Sequence, residues 1–98
     1  MDKMDNSSVY FSPNQYRNQF KKWLKTDNAK NVLNDIIQKS ITIKREYNIT
    51  NLDRNKLVAV LRFFDSYMPI GTLGSDECYN MFIDYFNEST ILNEINKN

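Results

Sequence analysis

SITIKREYNIT, Ser40 to Thr50, is the stretch on which the fold class turns. Ile41, Ile43, Tyr47 and Ile49 alternate at period two among β-branched neighbours, which is the pattern of a strand with one buried face. A lone strand needs a partner for its backbone groups, however, and no second segment of the chain has a clear strand pattern. The stretch is therefore read as helix to about Arg45 and then a connector through Tyr47 to Thr50. A short extended segment around 41–49 is the alternative. On that reading the expected fold is all-α, a compact bundle of four to five helices.

Working upstream, KTDNAKNVLNDIIQKSI begins a helix at Thr26 or Asp27. It sets Ala29, Val32, Leu33, Ile36, Ile37 and Ser40 at the spacings of one apolar stripe. Before it, FSPNQY carries agreeing helix-start signals. Ser12 fits the N-cap, Pro13 fits the first turn where its missing N–H costs nothing, and Gln15 completes a capping box. Phe11 and Tyr16 are placed to form a hydrophobic staple. At 100° per residue, Tyr16, Phe20, Trp23 and Leu24 share one arc, and Arg17, Lys21, Lys22 and Lys25 fall on the other side.

Downstream, TNLDRNKLVAVLRFFDSYM reads as a helix capped by Thr50 or Asn51, with Asp53 in its first turn. Its apolar residues from Leu57 to Met68 go nearly all the way round, so it is expected at the centre of the fold. Pro69 stops it, PIGTLG forms a tight loop, and Ser75 caps the next helix. Cys78, Met81, Phe82, Tyr85 and Phe86 form that helix's core stripe, which leaves Tyr79 and Ile83 off it. A last helix starts at Ser89 or Thr90 and includes Ile91, Leu92 and Ile95. The expected organisation is a loose N-terminus over 1–9, one helical domain over 10–95, and a frayed C-terminus over 96–98.

Ninety-eight residues leave room for one hydrophobic core. A content of 41% hydrophobic and 13% aromatic residues, with two Gly and two Pro, belongs to ordered globular chains. The single Cys78 excludes an internal disulfide and reads as a small buried hydrophobe. The opening MDKMDNSSVY lacks the features of a secretory signal, so an intracellular location is expected. The longest apolar run, LVAVLRFF, is too short to span a bilayer and contains Arg62, so no membrane insertion is expected. The abundance of Asn, Lys and Ile points to an A/T-rich genome such as that of a phage, a large DNA virus, a low-GC bacterium or a protist, and a virus, phage or mobile element is the expected source.

The chain has no His, which removes the commonest general base and metal ligand, and one Cys cannot build a structural zinc site. Gly71 and Gly74 match neither phosphate-loop pattern, and Asp76 and Glu77 would repel a phosphate there. No enzyme activity, metal, cofactor or small-molecule substrate is implied. LGSDECYNMFIDYF resembles the serine-bearing second helix of acyl carrier proteins, in which an Asp-Ser-Leu motif presents the Ser for phosphopantetheine attachment. This chain departs from that motif with Gly74, Ser75 and Asp76, and its N-terminal half is basic. Ser75 is therefore read as a helix cap.

The net charge of +1 hides a split. Residues 10–49 carry eight Lys or Arg against three Asp or Glu, whereas residues 50–98 carry four against seven. The candidate binding residues are Arg17, Lys21, Lys22, Lys25, Lys30, Lys39, Lys44 and Arg45, with Tyr79 as an outward aromatic beside Tyr10 and Tyr47. The expected function is a non-enzymatic protein-interaction module, an adaptor, inhibitor or regulatory subunit, whose partner is another protein or a second copy of the chain. The alternative is a DNA- or RNA-binding regulator that uses the basic face of the first two helices. The helix from Ser75 does not suit a recognition helix, because Asp76, Glu77, Asp84 and Glu88 would meet a polyanion.

Overall fold

A computed structural model describes residues 12–98. The expected loose segment 1–9, the staple partner Phe11 and the outward Tyr10 lie outside the described residues. The fold is all-α, and no strand occurs among the described residues. Helix α1 spans Pro13–Leu24, α2 Asp27–Tyr47 and α3 Arg54–Leu61; a 3₁₀ segment over Arg62–Tyr67 follows, then α4 over Ser75–Phe86 and α5 over Glu88–Asn96.

The deciding stretch is helical to Tyr47. Asn48 adopts the left-handed conformation at φ 54°, and the Ile49 N–H reaches back to the Lys44 carbonyl at 2.9 Å, which is a Schellman-type stop. The strand-like pattern has a helical cause. Residues two apart lie about 200° apart on a helix, so Ile41 and Ile43 sit on opposite flanks of α2. Both flanks are covered, because α2 packs against α1, α3 and α5 as well as the 3₁₀ segment.

Helix α1 starts as its sequence requires. The Gln15 N–H donates to Ser12 Oγ at 3.3 Å, and the Ser12 N–H donates to Gln15 Oε1 at 2.6 Å. Thr26 caps α2, with the Ala29 N–H donating to its Oγ1 at 3.3 Å. The three other caps lie elsewhere than expected. Asp53, rather than Thr50 or Asn51, caps α3 by accepting from the Lys56 N–H at 2.9 Å. Gly74 precedes α4, and Ser75 is its first residue. Asn87, just before the expected Ser89 or Thr90, caps α5 by accepting from the Thr90 N–H at 3.0 Å.

The segment from Leu57 to Met68 is not one helix buried on most sides. Pro69 holds Met68 extended at φ −117° and ψ 141°, and the chain tightens to i→i+3 geometry before it. Leu57, Val60 and Leu61 are buried, but Phe63 and Tyr67 are 63% and 65% exposed. Helix α4 is packed by α1, α3 and α5 together and buries Cys78, Tyr79, Phe82 and Ile83. With neighbours on three sides, its buried face is turned by about one residue from the predicted stripe.

Candidate functional site

The expected binding residues do not form one surface. Tyr79 is 1% exposed, and its hydroxyl donates to the Asp65 carboxylate, which ties α4 to the 3₁₀ segment. The expectation of an outward Tyr79 is thus corrected: it faces the core because α3 and the 3₁₀ segment cover that side of α4. Lys44 is also buried. Its Nζ donates to the carbonyls of Ile95 and Asn98, each at 3.3 Å, and so serves the C-terminal end of α5 rather than the surface. Lys39 Nζ lies 5.1 Å from the centroid of the exposed Phe63 ring, a cation–π contact.

Arg17 is engaged within the fold. Its Nε donates to Glu77 Oε2 and its second terminal nitrogen reaches Glu77 Oε1 at 3.3 Å, a two-pronged contact from α1 to α4. The pairing holds the Glu77 carboxyl below the usual range and raises the Arg17 guanidinium, with the hydrogen bond as the leading cause of both. Lys21, Lys22, Lys25, Lys30 and Arg45 are exposed, and they make no ion pair among the described residues.

The acidic half behaves oppositely. Arg54 reaches Asp84 at 3.2 Å, Glu88 at 2.5 Å and the side-chain oxygen of Asn80 at 2.6 Å, joining α3 to both later helices. Asp76 lies 4.0 Å from Arg62, Glu94 lies 3.1 Å from Lys97, and Asp53 lies 3.7 Å from Lys56. With Asp65 held by Tyr79 and Glu77 by Arg17, each of the seven carboxylates in residues 50–98 has a partner inside the chain. The charge split is therefore an asymmetry of engagement as well as of sign.

Two of the unengaged cations line an open groove of about 490 Å³ between α1 and α4, together with Leu24, Met81, Asp84 and Tyr85. The two helices run parallel here: Arg17 opposes Glu77 near their starts, and Lys25 shares the groove with Tyr85 near their ends. Tyr85 is 49% exposed and stands edge-on to Phe86 with ring centroids 4.9 Å apart. Phe86 packs on Phe82, Phe82 on Trp23, and Trp23 on Phe20. An unbroken series of rings thus anchors Tyr85 to the core while leaving it partly in solvent.

On α1 alone, aromatics and cations occupy different faces, as helical phase dictates. The structure brings an aromatic to Lys21 and Lys25 from another helix. Tyr85 was assigned to the core stripe of α4, and the one-residue turn of that helix's buried face moves it outward. The signal that would have found it is the apolar i, i+1, i+4, i+5 set Cys78, Tyr79, Phe82 and Ile83, which marks a face just as well as the chosen stripe.

A second recess of about 310 Å³ is lined by Trp23, Asn28, Asn31, Val32, Asp35 and Tyr67, but no cluster of unpaired cations borders it. Among the described residues no three His, Cys, Asp or Glu side chains are grouped to hold a metal ion, and no helix is long and apolar enough to cross a membrane. No protein-family model, curated protein or solved structure matches the chain.

Proposed function

We propose that the chain is a non-enzymatic protein-docking module, an adaptor, inhibitor or regulatory subunit, that engages its partner through the C-terminal half of α1 and the facing side of α4. One observation carries this reading. The carboxylates of the second half have internal partners, whereas Lys21, Lys22, Lys25, Lys30 and Arg45 have no acidic partner among the described residues. A partly exposed, core-anchored Tyr85 stands beside two of them. Tyrosines of this kind are favoured at protein interfaces, because a rigid amphipathic ring adds contact area at low entropic cost.

Affinity capture from cells that express the protein tests the reading. The wild type is compared with the triple variant Lys21→Glu, Lys25→Glu, Tyr85→Ala and with the control Lys97→Glu. A partner held by the wild type and the control but lost by the triple variant is the expected result. Identical captured proteins in all three would contradict it.

Nucleic-acid binding is the second reading, and the approach of Tyr85 to Lys21 and Lys25 favours it, since single-strand binders put cations and stacking rings in one groove. Two features weigh against it. Asp84, 70% exposed at its side chain, lines the same groove, and Tyr85 is the only ring there among the described residues, whereas a strand needs successive platforms. Anisotropy titrations of labelled single- and double-stranded oligonucleotides at low salt decide between the readings, and no saturable binding is expected.

A further inference from the structure

Resting on the docking-module reading, we propose that the α1–α4 groove takes an acidic amphipathic helix of a different protein. In this arrangement a bulky apolar side chain seats on Leu24, Met81 and Tyr85, and flanking carboxylates meet Lys21 and Lys25.

The groove's size and lining support a single helical anchor. Its floor is apolar and its volume of about 490 Å³ is that of a pocket for a few large side chains. The Arg17–Glu77 pair, one turn before Lys21, joins α1 to α4 upstream of the groove. Lys21, in the last turn of α1, and Lys25, its C-cap in a helical conformation, are one turn apart, with Cβ atoms about 6 Å apart, which matches carboxylates spaced i, i+4 on a facing helix. Asp84 opposes carboxylates here as it would a phosphate, but it is a single carboxylate, 3.2 Å from Arg54, set against two lysines.

The charge arrangement also argues against a second copy that would dock head to tail through its acidic half. Head-to-tail self-association would need free carboxylates on the second half of the chain, and all seven are already held by internal partners. Releasing any of them to serve Lys21 and Lys25 would break an existing contact to make a similar one. A heterologous acidic segment carries no such cost.

The test uses the full chain and three labelled helical peptides of about 15 residues, long enough for four turns. One has Leu and Phe anchors flanked by Glu, one has the same anchors flanked by Lys, and one has Glu with Ala in place of the anchors. Anisotropy titrations should show the first binding at least about tenfold tighter than either other, weakening severalfold between about 50 and 200 mM salt as exposed charge pairs are screened. Charge reversal with Lys21→Glu and Lys25→Glu should invert the preference between Glu- and Lys-flanked peptides. Both positions are exposed, and circular dichroism confirms that the variant is folded.

Equal affinity with and without the anchors would overturn the proposal, as would a preference that the double reversal leaves unchanged. A dimer in light scattering that dissociates on the same double reversal would overturn it in favour of self-association. If these peptides fail while the triple variant still loses a captured partner, the occupant's chemistry is wrong and the docking module stands; if both fail, the docking module falls as well.

Discussion

Gly71 adopts φ +64°, and a Cβ placed there would lie 2.1 Å from atoms of the Tyr16 ring. Gly71→Ala therefore combines a left-handed strain with displacement of the ring that packs the start of α1 on the loop before α4. It should cost about 1–3 kcal/mol in urea unfolding. Ser40 is the opposite case. It is fully buried in α2, and its Oγ has no hydrogen-bond partner among the described residues. Ser40→Ala removes an unpaired polar group from the core, so it should be neutral or stabilising by up to about 1 kcal/mol. A clear loss of stability would show that the hydroxyl has a role the contacts do not reveal. Cys78 and Tyr79 set the alkaline limit. Burial is the main cause that pushes the Cys78 thiol up to about 11 and the Tyr79 phenol up to about 12, and the Asp65 carboxylate adds to the latter. Both groups ionise more readily in the unfolded chain, so stability should fall as pH rises from about 9 towards 11. Urea midpoints measured across that range should decline, and Tyr79→Phe should flatten the upper part of the decline.

At the scale of elements, local chemistry fixed some boundaries and tertiary packing fixed others. The start of α1 was legible because Ser12, Pro13 and Gln15 are a complete local device, as Thr26 is for α2. Asp53 competed with Thr50 and Asn51 for one cap, and only the path of the connector decides among them. That path is held by Asn96, whose side chain pairs with both backbone groups of Leu52 at 2.8 and 3.0 Å. A contact spanning 44 residues has no local signature. Asp53→Ala should shorten helical content at the start of α3 and cost about 1 kcal/mol, whereas Thr50→Ala should change stability little. The 3₁₀ segment was hidden for a related reason. Pro69 announced a stop, but which aromatics turn outward depends on the tightened pitch and on the Tyr79–Asp65 bond. The same limit applied to Tyr85, because choosing between adjacent faces of α4 requires knowing how many helices surround it.

Over the whole molecule, the charge asymmetry was legible from residue counts, but its meaning was not. Counts suggested two complementary halves. The fold shows one half whose carboxylates are engaged and another that presents Lys21, Lys22, Lys25, Lys30 and Arg45 unpaired among the described residues. The central proposal is that two of these cations, Lys21 and Lys25, serve a docking groove completed by Tyr85. Nuclear magnetic resonance shift mapping of the full chain, titrated with the Glu-flanked anchored peptide, tests it most directly. The account predicts saturable perturbations centred on Lys21, Leu24, Lys25, Met81 and Tyr85. Perturbations centred instead on Phe63 and Tyr67, or scattered evenly over all exposed lysines, would contradict it.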